Sequence, residues 1–361
     1  MIAGTLARYF GLRFLGAATA MFGGIFVLVV LADYVEMTRQ ASGIPNAPAL
    51  LVAQISFYRV PQVTERVIPF AMLFGAMACY VSLSRRLELV VARAAGMSAW
   101  QFIAPAIVVA LLIGVAATLI YNPVSVALSE YSKKLEAELF GRAAVQRADA
   151  GFWVSQRDGD VQAVINAAAS RNQGAILDGV TVLTFDNSGR FRERIEAKSA
   201  ELESGHWRLT DVTVYALNAP PREHDSYLLS TSLTLAQIRE SFATPETVSF
   251  WRLPEFIELA ERAGLAGAGY RLQYHLLIAR PFLLAAMVIL AASVSLRFFR
   301  FGGITQMILS GIIAGFLLYV LSKVTEDMSK AELMHPAAAA WLPVLVGGLT
   351  GFVALLYLED G

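Results

Sequence analysis

Residues 100–121 read WQFIAPAIVVALLIGVAATLIY, 22 residues without a formal charge. As a helix rising 1.5 Å per residue this run would be about 33 Å long. The hydrocarbon core of a bilayer is about 30 Å thick. In lipid the backbone must satisfy its own N–H and C=O groups, which a helix does within one segment. The stretch is therefore read as a membrane-spanning helix. A spanning β-barrel would need many ten-residue alternating segments, and this run does not alternate.

Five further stretches support the same reading. Residues 14–32 lie between Arg13 and Asp33, and residues 67–84 between Arg66 and Arg85. Residues 281–296 follow Arg280, with the apolar patch Leu272–Ala279 ahead of it. Residues 301–322 lie between Arg300 and Lys323, and residues 333–358 between Glu332 and Glu359. The opening run, part of 94–129, makes the sixth. The segment at 281–296 reaches spanning length only if its helix starts before Arg280. The first run, at 19 residues, is longer than the hydrophobic region of a signal peptide and lacks a small-x-small site at its end, so it reads as a retained helix.

Composition agrees. Hydrophobic residues are 56% of the 361, charged residues 16%, and mean hydropathy is +0.55; a soluble domain carries about 25% charge. Cys79 is the single cysteine, so no disulfide forms within the chain. The histidines at 206, 224, 275 and 335 are far apart, and no His-Glu-x-x-His zinc motif occurs. No lysine follows a glycine, which excludes a phosphate-binding loop of the Gly-Lys-Ser/Thr type. No Gly-x-Ser-x-Gly elbow is present. The chain is read as a non-enzyme with no cofactor of its own. Without a large basic patch or basic helix, nucleic acid is not an expected partner.

Charge is zero overall but unevenly placed. Residues 122–270 hold 15 Lys/Arg and 20 Asp/Glu, and the rest hold 14 and 9. The short loops set the orientation. Arg8 and Arg13 precede the first span, Arg85, Arg86 and Arg93 follow the second, and Arg297 and Arg300 follow the fourth. The positive-inside rule puts these on the cytoplasmic side, with both termini. Residues 122–270 then lie outside the cytoplasm.

That outer region has strand character at 152–156, 161–169, 176–186, 190–203, 206–217 and 222–233. Turn residues separate the strands at Arg157-Asp158-Gly159-Asp160, Asp186-Asn187-Ser188-Gly189 and Ser204-Gly205. Such spacing predicts a sandwich or open barrel of one sheet layer on another. Ser129–Phe140 reads as an outward continuation of the third spanning helix. Leu253-Pro254-Glu255 opens a short helix that Gly264 closes. Asn122-Pro123 reads as the boundary of the third apolar run.

Between the second and third spans runs Arg85-Arg86-Leu87-Glu88-Leu89-Val90-Val91-Ala92-Arg93-Ala94-Ala95-Gly96. Leu87, Val90, Val91 and Ala94 can share one helical face. Gly96 and Ser98 fit a helix stop followed by a new start. The segment either docks a partner or only fixes topology with its arginines. Gly311-x-x-x-Gly315 and Gly347-x-x-x-Gly351 allow close helix approach, within the chain or between subunits. Arg280 either snorkels to the outer headgroups or meets an anionic substrate group.

The order of three helices, an outer strand domain and three more helices resembles the LptF/LptG lipopolysaccharide export permeases. Arg86-Leu87-Glu88-Leu89 through Arg93-Ala94-Ala95-Gly96-Met97-Ser98 carries part of the match. The rest lies in Trp251-Arg252-Leu253-Pro254 through Tyr270, Arg300-Phe301-Gly302-Gly303, Pro336 and Ala339-Ala340-Trp341-Leu342-Pro343. The end, Leu356-Tyr357-Leu358-Glu359-Asp360-Gly361, is closer to the G-type member.

The resemblance implies a six-span α-helical membrane protein with an inserted all-β, jellyroll-like periplasmic domain. Its parts would be residues 1–121 with a cytoplasmic coupling helix at 84–96, the periplasmic domain at 122–270, and the last three spans at 271–361. It implies a paired F-type permease and two copies of a cytoplasmic ATPase that binds ATP and magnesium. It also implies a single-span LptC-like protein, a periplasmic bridge protein, and lipopolysaccharide as substrate.

On this reading Glu88, with Arg86, Leu87 and Arg93, couples to the ATPase. Family members of the G type present basic residues at the outer end of the first helix. Here that region offers Arg39 beside Asp33 and Glu36, so Arg39, Arg59, Arg66 and Arg280 are the candidate headgroup rim. Val182, Ile195 and Leu209 are candidate positions on a lipid path through the outer domain. The competing class is a membrane-anchored scaffold whose outer domain binds other proteins.

Overall fold

The computed structural model describes residues 2–42, 48–140, 152–158, 161–171, 176–185, 190–203, 205–216, 220–231, 245–262, 267–301 and 303–359. Among the described residues, six helices are long and apolar enough to cross a membrane: Gly4–Ala41, Ile68–Arg85, Ala99–Glu136, Ala268–Leu296, Thr305–Lys330 and Pro336–Tyr357. They fall on the six runs read from the sequence. The fourth does begin before Arg280.

The chain divides into two compact units, Met1–Ser132 with Pro245–Gly361, and Lys133–Thr244. The first holds α1 (Ile2–Ala41), α2 (Ala49–Glu65), α3 (Ile68–Arg85), α4 (Glu88–Ala94) and α5 (Ala99–Ala116). A π-helical turn at Ala117–Tyr121 joins α5 to α6 (Asn122–Phe140), which runs on into the second unit. After the insertion come α7 (Leu253–Arg262), α8 (Ala268–Phe301), α9 (Ile304–Lys330) and α10 (Pro336–Glu359). The hub is α8, which packs on α3, α5, α9 and α10. Phe14, Leu73, Phe102, Ile103, Leu284 and Val288 are fully buried in the core around it. In contrast, α1 and α9 leave broad apolar faces uncovered, including Val27, Leu28, Leu31 and Val35 on one and Leu309, Ile313, Phe316 and Leu317 on the other.

The glycine pairs pack within the chain. A Cβ on Gly315 would stand 2.6 Å from Leu73 Cδ2, and one on Gly351 would stand 3.0 Å from the backbone nitrogen of Leu290. Each glycine pair therefore brings its helix against a neighbour of the same chain.

Asn122-Pro123 is not a boundary. The helix continues through it to Phe140, because the π turn and a neighbour absorb the proline. Proline has no N–H, so Pro123 leaves the Leu119 carbonyl without its α-helical donor. The indole Nε1 of Trp251 donates to that carbonyl at 3.2 Å. Pro281, inside α8, frees the Leu277 carbonyl in the same way, and Thr118 Oγ1 of the π turn donates to it at 2.9 Å. Where water is excluded, side chains of neighbouring segments take over the lost bonds. Gly114 sits directly against the Pro281 backbone and leaves no room for a Cβ.

A further departure is α2, a 17-residue helix between the first two spans that hydropathy does not mark. Its buried residues, Val52, Ile55, Ser56, Val60, Pro61, Thr64 and Glu65, lie on one helical stripe. It ends at Glu65 with Arg66 as its C-cap, so Arg59 and Arg66 do not share one continuous helix with the second span.

In the second unit, β1 (Phe152–Asp158), β2 (Val161–Arg171), β3 (Ile176–Phe185), β4 (Phe191–Glu203), β5 (His206–Ala216) and β6 (Arg222–Ser230) match the six predicted strands closely. They form one antiparallel sheet in sequence order, each strand hydrogen-bonded to its chain neighbours. The second layer expected from the strand count is not found among the described residues. The turns expected at 159–160 and 186–189 and the helix stop at Gly264 lie outside them.

One face of the sheet is buried, and its phase changes along the strands. On β3 the buried residues are Leu177, then Val180 and Val182; on β4, Ile195 and Ala197, then Ala200 and Leu202; on β5, Trp207 and Leu209, then Val212 and Val214. Alternation shifts by one residue on all three strands at the same row, where Gly179, Lys198 and Asp211 are adjacent but unpaired while the ladder keeps its register on both sides. Gly179 (φ 61°) and Asp211 (φ 53°) take the left-handed conformation there, open to glycine and tolerated by aspartate. The crease keeps one apolar face across strands of up to 13 residues.

Candidate functional site at the two ends of the membrane unit

At the outer end, the break between α2 and α3 gathers a buried polar cluster. Glu65 is 6% exposed. Its Oε1 accepts from Asn122 Nδ2 at 2.9 Å and from the Arg280 guanidinium, and its Oε2 accepts from Ser125 Oγ at 3.0 Å. Asn122 Oδ1 in turn accepts from the Phe250 backbone N–H at 2.9 Å. Tyr121, in the π turn, donates to the Pro61 carbonyl at 3.0 Å and shares a hydrogen bond of 2.8 Å with Thr64. A buried carboxylate is stable only when paired and hydrogen-bonded, and here four elements converge to do that.

The four rim arginines fall into two classes. Arg280 is committed to Glu65, with side chains 15% and 7% exposed. Arg59 binds Asp33 of α1 through two nitrogens, at 2.6 and 3.1 Å, and both side chains are largely buried. Arg39 pairs with Glu36 at 2.6 Å and Arg66 with Glu246 at 2.8 Å, yet their side chains stay 74% and 70% exposed. Lys330 also reaches Glu246, at 3.5 Å. A cavity of about 250 Å³ between α3, α8 and α9 is lined by Glu65, Arg66, Glu246, Arg280, Lys323 and Glu326 along with apolar side chains.

At the cytoplasmic end, α4 spans only Glu88–Ala94. Leu87, with φ 61°, breaks the chain away from α3. Gly96 (φ 84°) closes α4: its N–H reaches the Arg93 carbonyl at 2.9 Å and the Met97 N–H reaches that of Ala92 at 3.1 Å, the paired bonds of a Schellman stop. Ser98 N–H then donates to Gln101 Oε1 at 3.3 Å as α5 begins. Only Leu89 and Ala92 are buried, while Leu87 is 60% and Val91 67% exposed. The apolar face formed by Leu87, Val90, Val91 and Ala94 thus points away from the fold, with Arg93 also exposed. Glu88 Oε2 accepts from Tyr9 OH of α1 at 2.8 Å, and Arg13 Nε donates to the same hydroxyl at 3.0 Å.

In the outer unit, Val182, Ile195 and Leu209 are at most 1% exposed, and Val182 pairs directly with Ile195 across β3 and β4. All three belong to the packed apolar face.

Sequence reading missed Tyr9, Asn122, Tyr121 and Glu246. Tyr9 carries no local signal, since its partner is 79 positions away. Asn122 could have been flagged as an amide deep in a long apolar run that goes on past Pro123, whereas Gln101, the run's other amide, stands near its start.

Residues 8–357 match the family model described as lipopolysaccharide export system permease LptF/LptG. The chain is similar to lipopolysaccharide export system permease protein LptG of Escherichia coli strain K12, 24% identical over 353 residues that cover 94% of each chain. It is similar to the LptG protein of Haemophilus influenzae, 24% identical over 355 residues and 95% of each.

Proposed function

The chain belongs to the LptF/LptG family of lipopolysaccharide export permeases, and from that premise we propose how it is driven and where it holds lipid. It is a multi-pass permease subunit of the bacterial inner membrane, with its β unit on the periplasmic side. In our reading it is the G-type member, paired with an F-type permease over two copies of an ATPase that binds ATP and magnesium. The uncovered apolar faces of α1 and α9 suit helix partners, namely the F-type chain and a single-span LptC-like protein. Lipid leaves through the β unit toward a periplasmic bridge protein.

The observation that carries the drive mechanism is α4. Its apolar face (Leu87, Val90, Val91) is directed outward on the cytoplasmic side, and Glu88 stands at its first turn. An ATPase groove would cover that face, Glu88 would meet a basic group there, and Arg86 and Arg93 would flank the contact. Tyr9 ties Glu88 to α1, so a displacement of α4 pulls on the first span. Glu88→Arg places like charge against the partner and lowers ATPase co-purification and ATP-dependent lipid release. Wild-type association and release in that variant would remove α4 from the drive mechanism.

For the substrate, the exposed pair Arg39 and Arg66 serves as the phosphate rim, while Arg59 and Arg280 hold its supports in place through Asp33 and Glu65. Because Val182, Ile195 and Leu209 are packed, a lipid path along that face requires the sheet to open. Photo-crosslinkers at the three positions test this during ATP turnover, and a complex that exports without lipid adducts there carries lipid by another route.

A further inference from the structure

Glu246 has no role in the proposed function, yet it holds two cations of the outer end at once. Its Oε2 accepts from Arg66 Nη2 at 2.8 Å, and its Oε1 lies 3.5 Å from Lys330 Nζ. Arg66 is the C-cap of α2, and Lys330 is the last residue of α9. One carboxylate therefore bridges the break before the second span and the outer end of the fifth. The Glu246 backbone is held separately, because Gln62 Nε2 donates to its carbonyl at 2.9 Å. The side chain can thus leave both cations while the chain stays in place. Glu246 and Arg66 also line the cavity of about 250 Å³ between α3, α8 and α9, together with Lys323.

This bridge is suited to exchange. Arg66 and Lys330 are exposed and Glu246 is half-buried, and ion pairs open to water are weak. The neighbouring pair, Glu65 with Arg280, is buried and enclosed by Asn122 and Ser125, so it stays fixed. A carboxylate brings one negative charge and two oxygens. A phosphate monoester brings about 1.5 to 2 negative charges near neutral pH and three acceptor oxygens. The same two cations therefore hold a monoester more strongly than they hold Glu246. We propose that Glu246 is a built-in competitor for the substrate's phosphate, which seats on Arg66 and Lys330 by displacing the carboxylate. A lipid without such a phosphate leaves the carboxylate where it is. Lys330 thereby joins the headgroup rim, and Glu246 becomes the residue that selects for a phosphorylated headgroup. The proposal rests on the reading of Arg66 as a rim residue.

The test uses the reconstituted complex of permease and ATPase in nanodiscs, without ATP. Two probes are compared, lipopolysaccharide and the same lipopolysaccharide stripped of its phosphates. Glu246→Gln keeps the size of the side chain and should raise affinity for the phosphorylated probe about two- to fivefold, the scale of an exposed ion pair. Affinity for the stripped probe should stay as in wild type. Lys330→Gln should lower affinity for the phosphorylated probe by a similar factor. Glu246→Gln binding both probes as wild type does overturns the proposal. So does a rise shared equally by the two probes, which a merely structural role would give. So does Lys330→Gln with unchanged affinity, and this variant decides if Glu246→Gln fails to assemble. Arg39→Gln examines the rim reading apart from this bridge, since Arg39 pairs with Glu36. If Arg39→Gln and Arg66→Gln weaken binding while Glu246→Gln changes nothing, the rim stands and the exchange falls. If all three bind as wild type does, rim and exchange fall together.

Discussion

The two ends of the membrane unit treat charge in opposite ways. At the outer end each rim arginine has an acid: Glu36, Asp33, Glu246 and Glu65 match Arg39, Arg59, Arg66 and Arg280. The deepest pair is enclosed by Asn122 and Ser125. At the cytoplasmic end Arg85 and Arg86 have no acid among the described residues, and Glu88 is met by a neutral tyrosine. Three of these pairs join separate segments, while Arg39–Glu36 lies within α1. Unsatisfied charge beside an outward apolar helix face leaves work for a partner.

The largest test of that contrast removes one arginine at each end. Arg280→Ala strands Glu65 in a buried site and should cost about 3–5 kcal/mol. Arg85→Ala, at the surface, should stay within about 0.5 kcal/mol. Thermal unfolding of the purified chain in detergent measures both, and equal shifts would break the comparison. A smaller effect is expected where proline carbonyls are rescued. Thr118→Val removes the donor to the Leu277 carbonyl and should cost about 1–3 kcal/mol, while Thr118→Ser keeps most of it. If serine and valine behave alike, the bond is not what holds the π turn to α8.

The smallest effect on stability sharpens the cytoplasmic half. Tyr9→Phe deletes an exposed hydrogen bond and should change unfolding by less than about 1 kcal/mol. Lipid released per ATP hydrolysed by the reconstituted complex should nevertheless fall, because α4 and α1 lose their tie. An unchanged ratio would mean that α4 acts on the spans through α3 and α5 alone.

Much of this architecture was legible in the chain, for physical reasons that differ by element. Spans are written in uninterrupted apolar runs because lipid offers backbone and charge no alternative partner. The six strands were legible because turn residues punctuate them. The α4 stop at Gly96 was legible because a left-handed cap asks for glycine. The second helix was not, since its apolar residues form a stripe too narrow to raise local hydropathy. The phase change at Gly179 and Asp211 was also hidden, because strict alternation on either side gives no warning that the sheet shifts by one residue.

By itself, then, the sequence determined six spans, their orientation, a strand-rich insertion and the family resemblance, all of which follow from local composition and spacing. Tertiary structure alone decided which rim arginines are buried against an acid and which stay exposed beside one. It paired Glu65 with Arg280 across 215 positions and Tyr9 with Glu88 across 79. It also turned Asn122-Pro123 from an apparent helix end into a junction. The reason is that a charge or an orphaned carbonyl in a low-dielectric interior is settled by whichever group packs beside it, and chain order does not say which group that is.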